Sequence, residues 1–275
     1  MSENKINTEL LDYLKAERNK DPLEGKKGIV IGIANDQSIA WGCAQAFRGI
    51  GAELCITYLN DKTKTFTQPL ADALEIDPSL YLPCDVREAG QLEAVFEAIE
   101  KKWGKLDFAL HSIAFAPRED LLGRVTDCSK EGFLMAMDIS CHSFIRMARL
   151  AEPLMKDGGA LFTMSYFGAE KVVEDYNVMG PVKAALEASA RYVAAELGPK
   201  GIRVNPISPG PIKTRAASGI GRFDELMDKA AERAPARSLV TIEDVGIATA
   251  FLATDYAKLI TGDTAYIDGG YHVIG

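Results

Sequence analysis

The chain has 275 residues, with 31 basic and 39 acidic side chains and therefore a formal net charge of −8. Hydrophobic residues make up 47% and charged residues 25% of the chain, which are globular proportions and argue against a disordered or fibrous protein. The acidic balance argues against nucleic acid as the main ligand, and no apolar run reaches the roughly 18 residues that a membrane span needs.

The N-terminal residues 1–22 are predicted to form a polar helical arm outside the main fold, with Leu10, Leu11 and Leu14 at helical spacing. The segment has neither the apolar core of a signal peptide nor the acid-poor composition of a transit peptide, so we expect a cytoplasmic protein. The five cysteines are scattered and never form a CxxC pair, which indicates reduced thiols. None of the three histidines has the spacing of a metal ligand set, and no metal site is predicted.

Beyond the arm, short apolar runs alternate with longer helical patterns. Seven runs are typical of β-strands: 28–32, 53–58, 80–85, 106–112, 159–165, 203–207 and 263–267. Six segments have a helical pattern: 38–50, 64–76, 91–103, 133–155, 182–197 and 242–253. This alternation predicts one α/β domain over 23–275, a Rossmann-like, doubly wound parallel sheet of about seven strands. Ligands of such sheets bind beyond the carboxyl ends of the strands.

The first strand ends in a glycine turn that opens a helix. Gly32 would allow the tight turn, and Ser38 is predicted to cap the helix that starts at Ile39. The helix N-terminus would offer backbone N–H groups to a pyrophosphate. A glycine turn alone is a weak signal, and without the rest of the chain an ordinary βα turn would be preferred.

Three other strand ends add to this prediction. Asp85 closes the third strand, where its carboxylate can accept from an adenine amino group, or act as an ordinary helix cap. Small residues at 112–114 leave room for a ribose, and the loop 208–214, stiffened by Pro209 and Pro211, is placed to close over a nicotinamide. Together these strand ends favour a dinucleotide site.

The end of the second strand bears on the choice of cofactor. Leu59 stands where many such folds have an acidic residue for the adenine ribose. No cation lies directly at this strand end, which favours NADH, while Lys62 and Lys64 follow closely enough to leave NADPH open.

Tyr176 and Lys183 lie beyond the fifth strand and are seven residues apart. If both stood on one helix, this spacing of two turns would put them on one face. A tyrosine beside a cation can hydrogen-bond a carbonyl and stabilise the enolate formed from it. The plain alternative is a half-buried tyrosine and a surface lysine. Pro181 would kink a helix interior but suits a first turn, so the helix start stays open.

Several stretches of the chain carry a family resemblance. They are Ser38–Gly42, Cys84–Val86, His111–Pro117, Ser165–Glu170, Tyr176–Gly180 and Gly210–Ile220. With these stretches the chain resembles the bacterial enoyl-[acyl-carrier-protein] reductases, a divergent group of short-chain dehydrogenases/reductases. The larger family has a Tyr-x3-Lys spacing, whereas here Gly180 stands four residues after Tyr176.

The resemblance implies NADH-dependent reduction of a trans-2-enoyl thioester on an acyl carrier protein by a homotetramer. It implies Tyr166, Tyr176 and Lys183 as active-site residues, with Lys183 on the nicotinamide ribose, and a substrate-binding segment at about 214–238. The implied cofactor contacts are Gly32, Ser38, Ile39, Asp85, Val86, Ile113, Ile212 and Thr214, and the implied substrate contact is Ala116. A reductase for another enone or ketone, and a dinucleotide-binding protein without turnover, are the alternatives.

Overall fold

The computed structural model describes residues 21–214 and 223–274 of the chain. The predicted N-terminal helix and residues 215–222 of the predicted substrate-binding segment lie outside the described residues. Within them the chain forms a single parallel sheet with helices on both faces, as the alternation predicted.

The sheet has seven strands among the described residues. They are β1 Lys27–Ile31, β2 Glu53–Tyr58, β3 Tyr81–Pro83, β4 Phe108–His111, β5 Gly159–Met164, β6 Ile202–Pro209 and β7 Ala265–Ile267. Their order is β3-β2-β1-β4-β5-β6-β7 and every neighbouring pair is parallel. The order reverses between β1 and β4, so the crevice beyond their carboxyl ends is where a doubly wound sheet binds its ligand.

Nine α-helices flank the sheet in the described part of the chain. They are α1 Ile39–Gly49, α2 Asp61–Ala73, α3 Gln91–Trp103, α4 Arg118–Leu122, α5 Lys130–Met137, α6 Ser143–Ala151, α7 Met179–Leu197, α8 Phe223–Arg233 and α9 Ile242–Ala253. Across residues 21–214 and 223–274, no helix combines the length and apolar character needed to cross a bilayer.

The strands are buried on both faces, which explains their continuous apolar runs. Ile29 and Ile31 of β1 belong to the core under α3, α6 and α7, whereas Val30 belongs to the core under α1 and α9. On the second face the rings of Phe47 and Phe108 meet with their centroids 4.4 Å apart. Burying such a side chain contributes about 1.5–3 kcal/mol, so these contacts hold the helices to the sheet.

Two predicted helices differ in the structure. The segment 133–155 is not one helix: a π-helical turn, Asp138–His142, separates α5 from α6, and a 3-10 turn follows α6 at Glu152–Leu154. The helix predicted at 64–76 begins at Asp61, because the side chain of Asn60 accepts a hydrogen bond from the Thr63 N–H and caps it.

The helix predicted at 182–197 begins three residues earlier, at Met179. Pro181 therefore lies in its first turn, where the missing N–H would have had no helical acceptor. Tyr176 precedes the helix, in a turn closed by a hydrogen bond of 3.0 Å from the Met179 N–H to the Tyr176 carbonyl.

Candidate active site

The turn after β1 requires a glycine. Gly32 has a φ of +114°, and a Cβ at this position would lie 2.1 Å from the carbonyl oxygen of Ser112. The approach is close because the Ser112 N–H donates to the Ile31 carbonyl at 2.9 Å, which extends the β1–β4 ladder to the sheet edge. The missing side chain therefore lets the ends of β1 and β4 approach closely at the topological switch point, where sheets of this class bind their ligands.

Ser38 contributes to this loop in a different way from the one predicted. Its hydroxyl does not cap α1; it accepts from the N–H groups of Ala34 and Asn35, at 3.0 and 3.1 Å, and so folds the loop back on itself. Ser38 stands at the N-cap position as predicted, but its side chain makes no capping hydrogen bond, because the hydroxyl is taken by the two loop N–H groups. The first turn of α1, which begins at Ile39, can therefore offer backbone N–H groups and the positive end of the helix dipole to an anion.

The predicted adenine end contains a paired carboxylate. Both oxygens of Asp85 accept from the Arg87 guanidinium, and the Arg87 N–H donates to the same carboxylate at 3.0 Å. These hydrogen bonds from Arg87 lower the pKa of Asp85, so the group is ionised at neutral pH. Arg146 donates to the Val86 carbonyl at 2.8 Å and holds the next residue of the loop. Contact of Asp85 and Val86 with a cofactor stays a prediction.

The end of β2 carries one exposed apolar side chain, Leu59, and a nearby cation. The Asn60 side chain is occupied in capping α2, and Lys64 lies with its ammonium 5.2 Å from the centroid of the Tyr58 ring. Lys64 is thus turned toward an aromatic face beside this strand end, which is a cation–π arrangement.

Two tyrosines meet beyond β5. The rings of Tyr166 and Tyr176 pack edge to face, with centroids 4.9 Å apart and an interplanar angle of 63°. The Tyr166 hydroxyl is buried and has no hydrogen-bond partner among the described residues. Burial raises the pKa of both phenols, so each stays protonated at neutral pH and serves as a hydrogen-bond donor.

Lys183 reaches the same region from the inner face of α7. It is only 4% exposed, and its ammonium donates to the Met164 carbonyl at 2.6 Å. Burial lowers the pKa of Lys183 from 10.5 to about 8. The helix start that the sequence left open lies at Met179, so Tyr176 precedes α7 and does not share a helical face with Lys183. Lys183 is held against the end of β5 through the Met164 carbonyl, and Tyr176 is held against Tyr166, which follows the same strand.

Behind these groups lies a buried histidine, His111, which sequence reasoning had not assigned a role. The Ser143 hydroxyl donates to the Ile139 carbonyl at 2.6 Å and therefore accepts from His111 Nε2, 2.7 Å away. His111 Nδ1 is left to accept from Thr163 Oγ1 at 3.1 Å. Burial, followed by the charge of Lys183, lowers the pKa of His111 to about 3. The ring is neutral and braces β4, β5 and the π-helical turn.

The predicted substrate contact, Ala116, lies with the two tyrosines. Ala116 and Tyr166 both pack against a small apolar cluster that contains Tyr176 and Val182. Ser140, in the π-helical turn, fixes the loop that carries Ala116: its hydroxyl accepts from the N–H of Phe115 at 2.9 Å and donates to the Phe115 carbonyl at 3.2 Å.

The remaining predicted cofactor residues follow strands of the same sheet edge. Ile113 follows β4 and packs against the core on one face, and Ile212 follows β6 and packs against the core on the other. Thr214 is half-buried at the end of the same loop. In the described part of the chain, no group of three or more His, Cys, Asp or Glu side chains could hold a metal ion.

Glu187 and Ser165 form a second feature that the sequence prediction missed. Both are buried, and the Ser165 hydroxyl donates to the Glu187 carboxylate. Glu187 stands four residues after Lys183, so the i,i+4 spacing placed it on the lysine's face of α7. That spacing was the available signal.

A doubly wound parallel sheet, with a glycine turn at its switch point and a tyrosine–lysine site beyond β5, defines a Rossmann-like oxidoreductase. A family model described as enoyl-(acyl carrier protein) reductase matches residues 32–272. An enoyl-[acyl-carrier-protein] reductase [NADH] of Rhizobium meliloti is 47% identical over 92% of each chain, and one of Bacillus cereus is 46% identical over 92% of this chain and 99% of the relative.

Solved structures agree with these relatives. The Anaplasma phagocytophilum reductase, in complex with NAD, superposes with a TM-score of 0.89 at 47% identity, covering 94% of this chain and 97% of that one. A Bacillus cereus reductase, with NADP+ and an indole naphthyridinone, has a TM-score of 0.89 at 46% identity, covering 92% and 98%. The chain belongs to the enoyl-[acyl-carrier-protein] reductase family. The predicted family, fold and oxidoreductase class are confirmed.

Proposed function

We propose that the chain catalyses NADH-dependent reduction of the trans-2 double bond of enoyl thioesters carried on an acyl carrier protein. The observation that carries this proposal is the edge-to-face contact of Tyr166 and Tyr176 beyond β5, the strand whose last residue, Met164, accepts a hydrogen bond from the buried ammonium of Lys183. The relatives whose names specify NADH, and the relative with NAD bound, support the cofactor.

The phenol of Tyr176 has the chemistry needed at the thioester oxygen. Bound NADH would supply the hydride, which adds to the β-carbon of the enoyl group. The C=C electrons then move toward the thioester oxygen, where the Tyr176 hydroxyl donates a hydrogen bond to the developing enolate. A proton added at the α-carbon completes the saturated acyl chain. The raised pKa of Tyr176 keeps its proton available for this donation.

Lys183 is proposed to hold the nicotinamide ribose. Its one donation within the site, to the Met164 carbonyl, leaves N–H groups for ribose hydroxyls, since an ammonium has three donors. Gly32, Ser38, Ile39, Asp85, Val86 and Ile113 would line the rest of the cofactor, with Ile212 and Thr214 near the nicotinamide amide.

The acyl chain is proposed to lie over Ala116, between the tyrosines and the segment 214–238. Ala116 lies at the apolar cluster beside Tyr176, which suits a hydrocarbon chain. The described part of the segment contains α8, which is joined to the loop after β6 by an ion pair of 3.0 Å between Lys213 and Asp224.

The test is the loss of NADH absorbance on mixing the protein with NADH and a crotonyl thioester. We expect turnover with the crotonyl thioester and none with a β-ketoacyl thioester, which an ordinary ketoreductase would reduce. Turnover of the ketoacyl substrate alone would favour the second reductase class, and NADH binding without any turnover would favour a non-catalytic protein. A specificity constant several-fold higher with NADPH would overturn the cofactor preference.

The quaternary structure is proposed to be a homotetramer, acting in the cytoplasm. Support comes from exposed apolar side chains of α9, Ile247 and Phe251, which lie beside the edge strand β7 and line a groove with Tyr266 and Ile267. Light scattering coupled to size exclusion should give four times the chain mass, and Phe251→Asp should lower it. A monomeric parent protein would refute the tetramer.

A further inference from the structure

Two consecutive residues at the end of β5 are attached to two residues of α7 that lie one turn apart. The Met164 carbonyl accepts from Lys183, and the Ser165 hydroxyl donates to the Glu187 carboxylate. All three side chains are buried, Ser165 with 5% exposed and Lys183 and Glu187 with 4% each. The Ser165 N–H also donates to the Ile207 carbonyl at 2.7 Å, so its backbone is held by the sheet while its side chain is held by the helix.

The two elements joined in this way each carry one of the tyrosines. Tyr166 directly follows Ser165, and Tyr176 is tied to the first residue of α7 by the bond from the Met179 N–H. The distance between the tyrosine rings therefore depends on how the end of β5 sits against α7. The hydrogen bond between Ser165 and Glu187, the Ser165–Glu187 pair, joins the residue directly before Tyr166 to α7 and contributes to this relation.

If packing alone decided this position, an apolar side chain would fill it without the desolvation cost of a carboxylate. Burial raises the pKa of the Glu187 carboxyl, which is the sign of its desolvation, and the hydrogen bond from Ser165 opposes that shift. Buried charged pairs are often replaced by apolar side chains without loss of stability when both partners are replaced together. A directional bond, in contrast, fixes a position that apolar packing leaves looser.

We propose that Glu187 is a positioning residue for the reaction, which holds Tyr166 opposite Tyr176 through its bond to Ser165. The inference rests on the proposed enoyl reduction. It separates two functions of α7: Lys183 acts on the cofactor, and Glu187 acts one turn further along the helix on the alignment of the tyrosines. Loss of the pair is therefore expected to lower kcat by much more than it lowers the affinity for NADH.

The experiment compares Glu187→Leu, which removes the acceptor, with Glu187→Gln, whose amide oxygen can still accept from Ser165. Glu196→Leu, on the exposed side of α7, is the matched control. For each full-length protein, kcat and KM are measured with a crotonyl thioester, the NADH dissociation constant by fluorescence, and the melting temperature by calorimetry. A misplacement of the reacting groups by about 1 Å costs up to about 100-fold.

Glu187→Leu is expected to lower kcat about 10- to 100-fold, with a much smaller change in the NADH dissociation constant, and Glu187→Gln to recover most of the loss in kcat. Both constants are measured at pH 6.5, because Glu187 also raises the pKa of Lys183 and its loss would reduce the charge of the lysine at higher pH. Ser165→Ala is a second route to the same contact. Because both changes remove one interaction, the double variant Ser165→Ala with Glu187→Leu should be no slower than the slower single variant.

Equal kcat values for Glu187→Leu and the parent protein would overturn the inference, as would equal losses in Glu187→Leu and Glu187→Gln. A loss of NADH affinity in proportion to kcat would overturn it too, because that is the signature of a disturbed cofactor site. A parent protein that does not reduce the crotonyl thioester counts against the proposed function, whereas an active parent with a fully active Glu187→Leu counts against this inference alone.

Discussion

Raising the pH from 7 to 9 is expected to weaken NADH binding, because the ammonium of Lys183 loses its proton in this range. Burial disfavours the charged form and lowers the pKa of Lys183 from 10.5 to about 8. The sign follows from the group being a base: below its pKa the cation is present and can hold the ribose, and above its pKa the amine is neutral. His111, Cys141 and Glu187 are the titratable neighbours of the ammonium.

The magnitude follows from the fraction of charged lysine. With a pKa of about 8, roughly 90% of the side chains are charged at pH 7 and roughly 10% at pH 9. If only the charged form binds tightly, the dissociation constant rises about tenfold, which is about 1.4 kcal/mol. A lysine with its ordinary pKa near 10.4 would lose only a few per cent of its charge over the same range.

The assay is a fluorescence titration of NADH at constant ionic strength, from pH 6.5 to 9.5. Two variants serve as controls. Lys183→Met has no charge to lose, so its weaker affinity should not change with pH. Lys183→Arg keeps its charge over the whole range and should bind with little pH dependence, with a lower affinity because a planar guanidinium replaces a point charge.

A parent protein whose NADH affinity is constant up to pH 9.5 would refute the lowered pKa. The same tenfold loss in Lys183→Met would assign the titration to another group. His111 is neutral throughout this range and contributes no change of charge.

Tyr176→Phe removes one donor from the developing enolate, so kcat is expected to fall about 10- to 1000-fold while NADH still binds, as steady-state rates and titration would show. Gly32→Ala puts a Cβ 2.1 Å from the Ser112 carbonyl oxygen at a φ of +114°, so NADH affinity should fall at least tenfold in a calorimetric titration. Gly42→Ala puts a Cβ 2.1 Å from the Ile242 carbonyl oxygen, where α1 crosses α9, and should cost about 1–3 kcal/mol of unfolding free energy in a denaturant melt.

Each of the two glycine substitutions has a matched control variant. Gly25→Ala also replaces a glycine of positive φ, but nothing lies within 4 Å of its Cβ, so it controls for backbone strain without the clash. Gly49→Ala stands at the end of the same helix as Gly42 and likewise has open space. Full activity of Tyr176→Phe would remove the enolate role from Tyr176 and make Tyr166 the next candidate. Equal stability of Gly42→Ala and Gly49→Ala would mean that α1 and α9 adjust freely.

The sequence by itself determined the alternation of strands and helices, the parallel sheet and the edge at which the site lies. These features are local, because an apolar run such as 28–32 and a helical periodicity such as that of 91–103 are patterns of residues close together in the chain. The spacing of Tyr176 and Lys183 also made them candidates for the site, and their roles stay predictions.

The tertiary structure decided how those residues meet. Tyr176 and Lys183 do not share a helical face, because Pro181 and the turn before Met179 place the start of α7 between them. The hydrogen bonds that hold neutral His111 join residues 32 and 52 positions apart in the chain. The bond between Ser165 and Glu187 joins residues 22 positions apart. No local period encodes such pairings, because they depend on which strand lies beside which and on what each buried polar group finds as its partner.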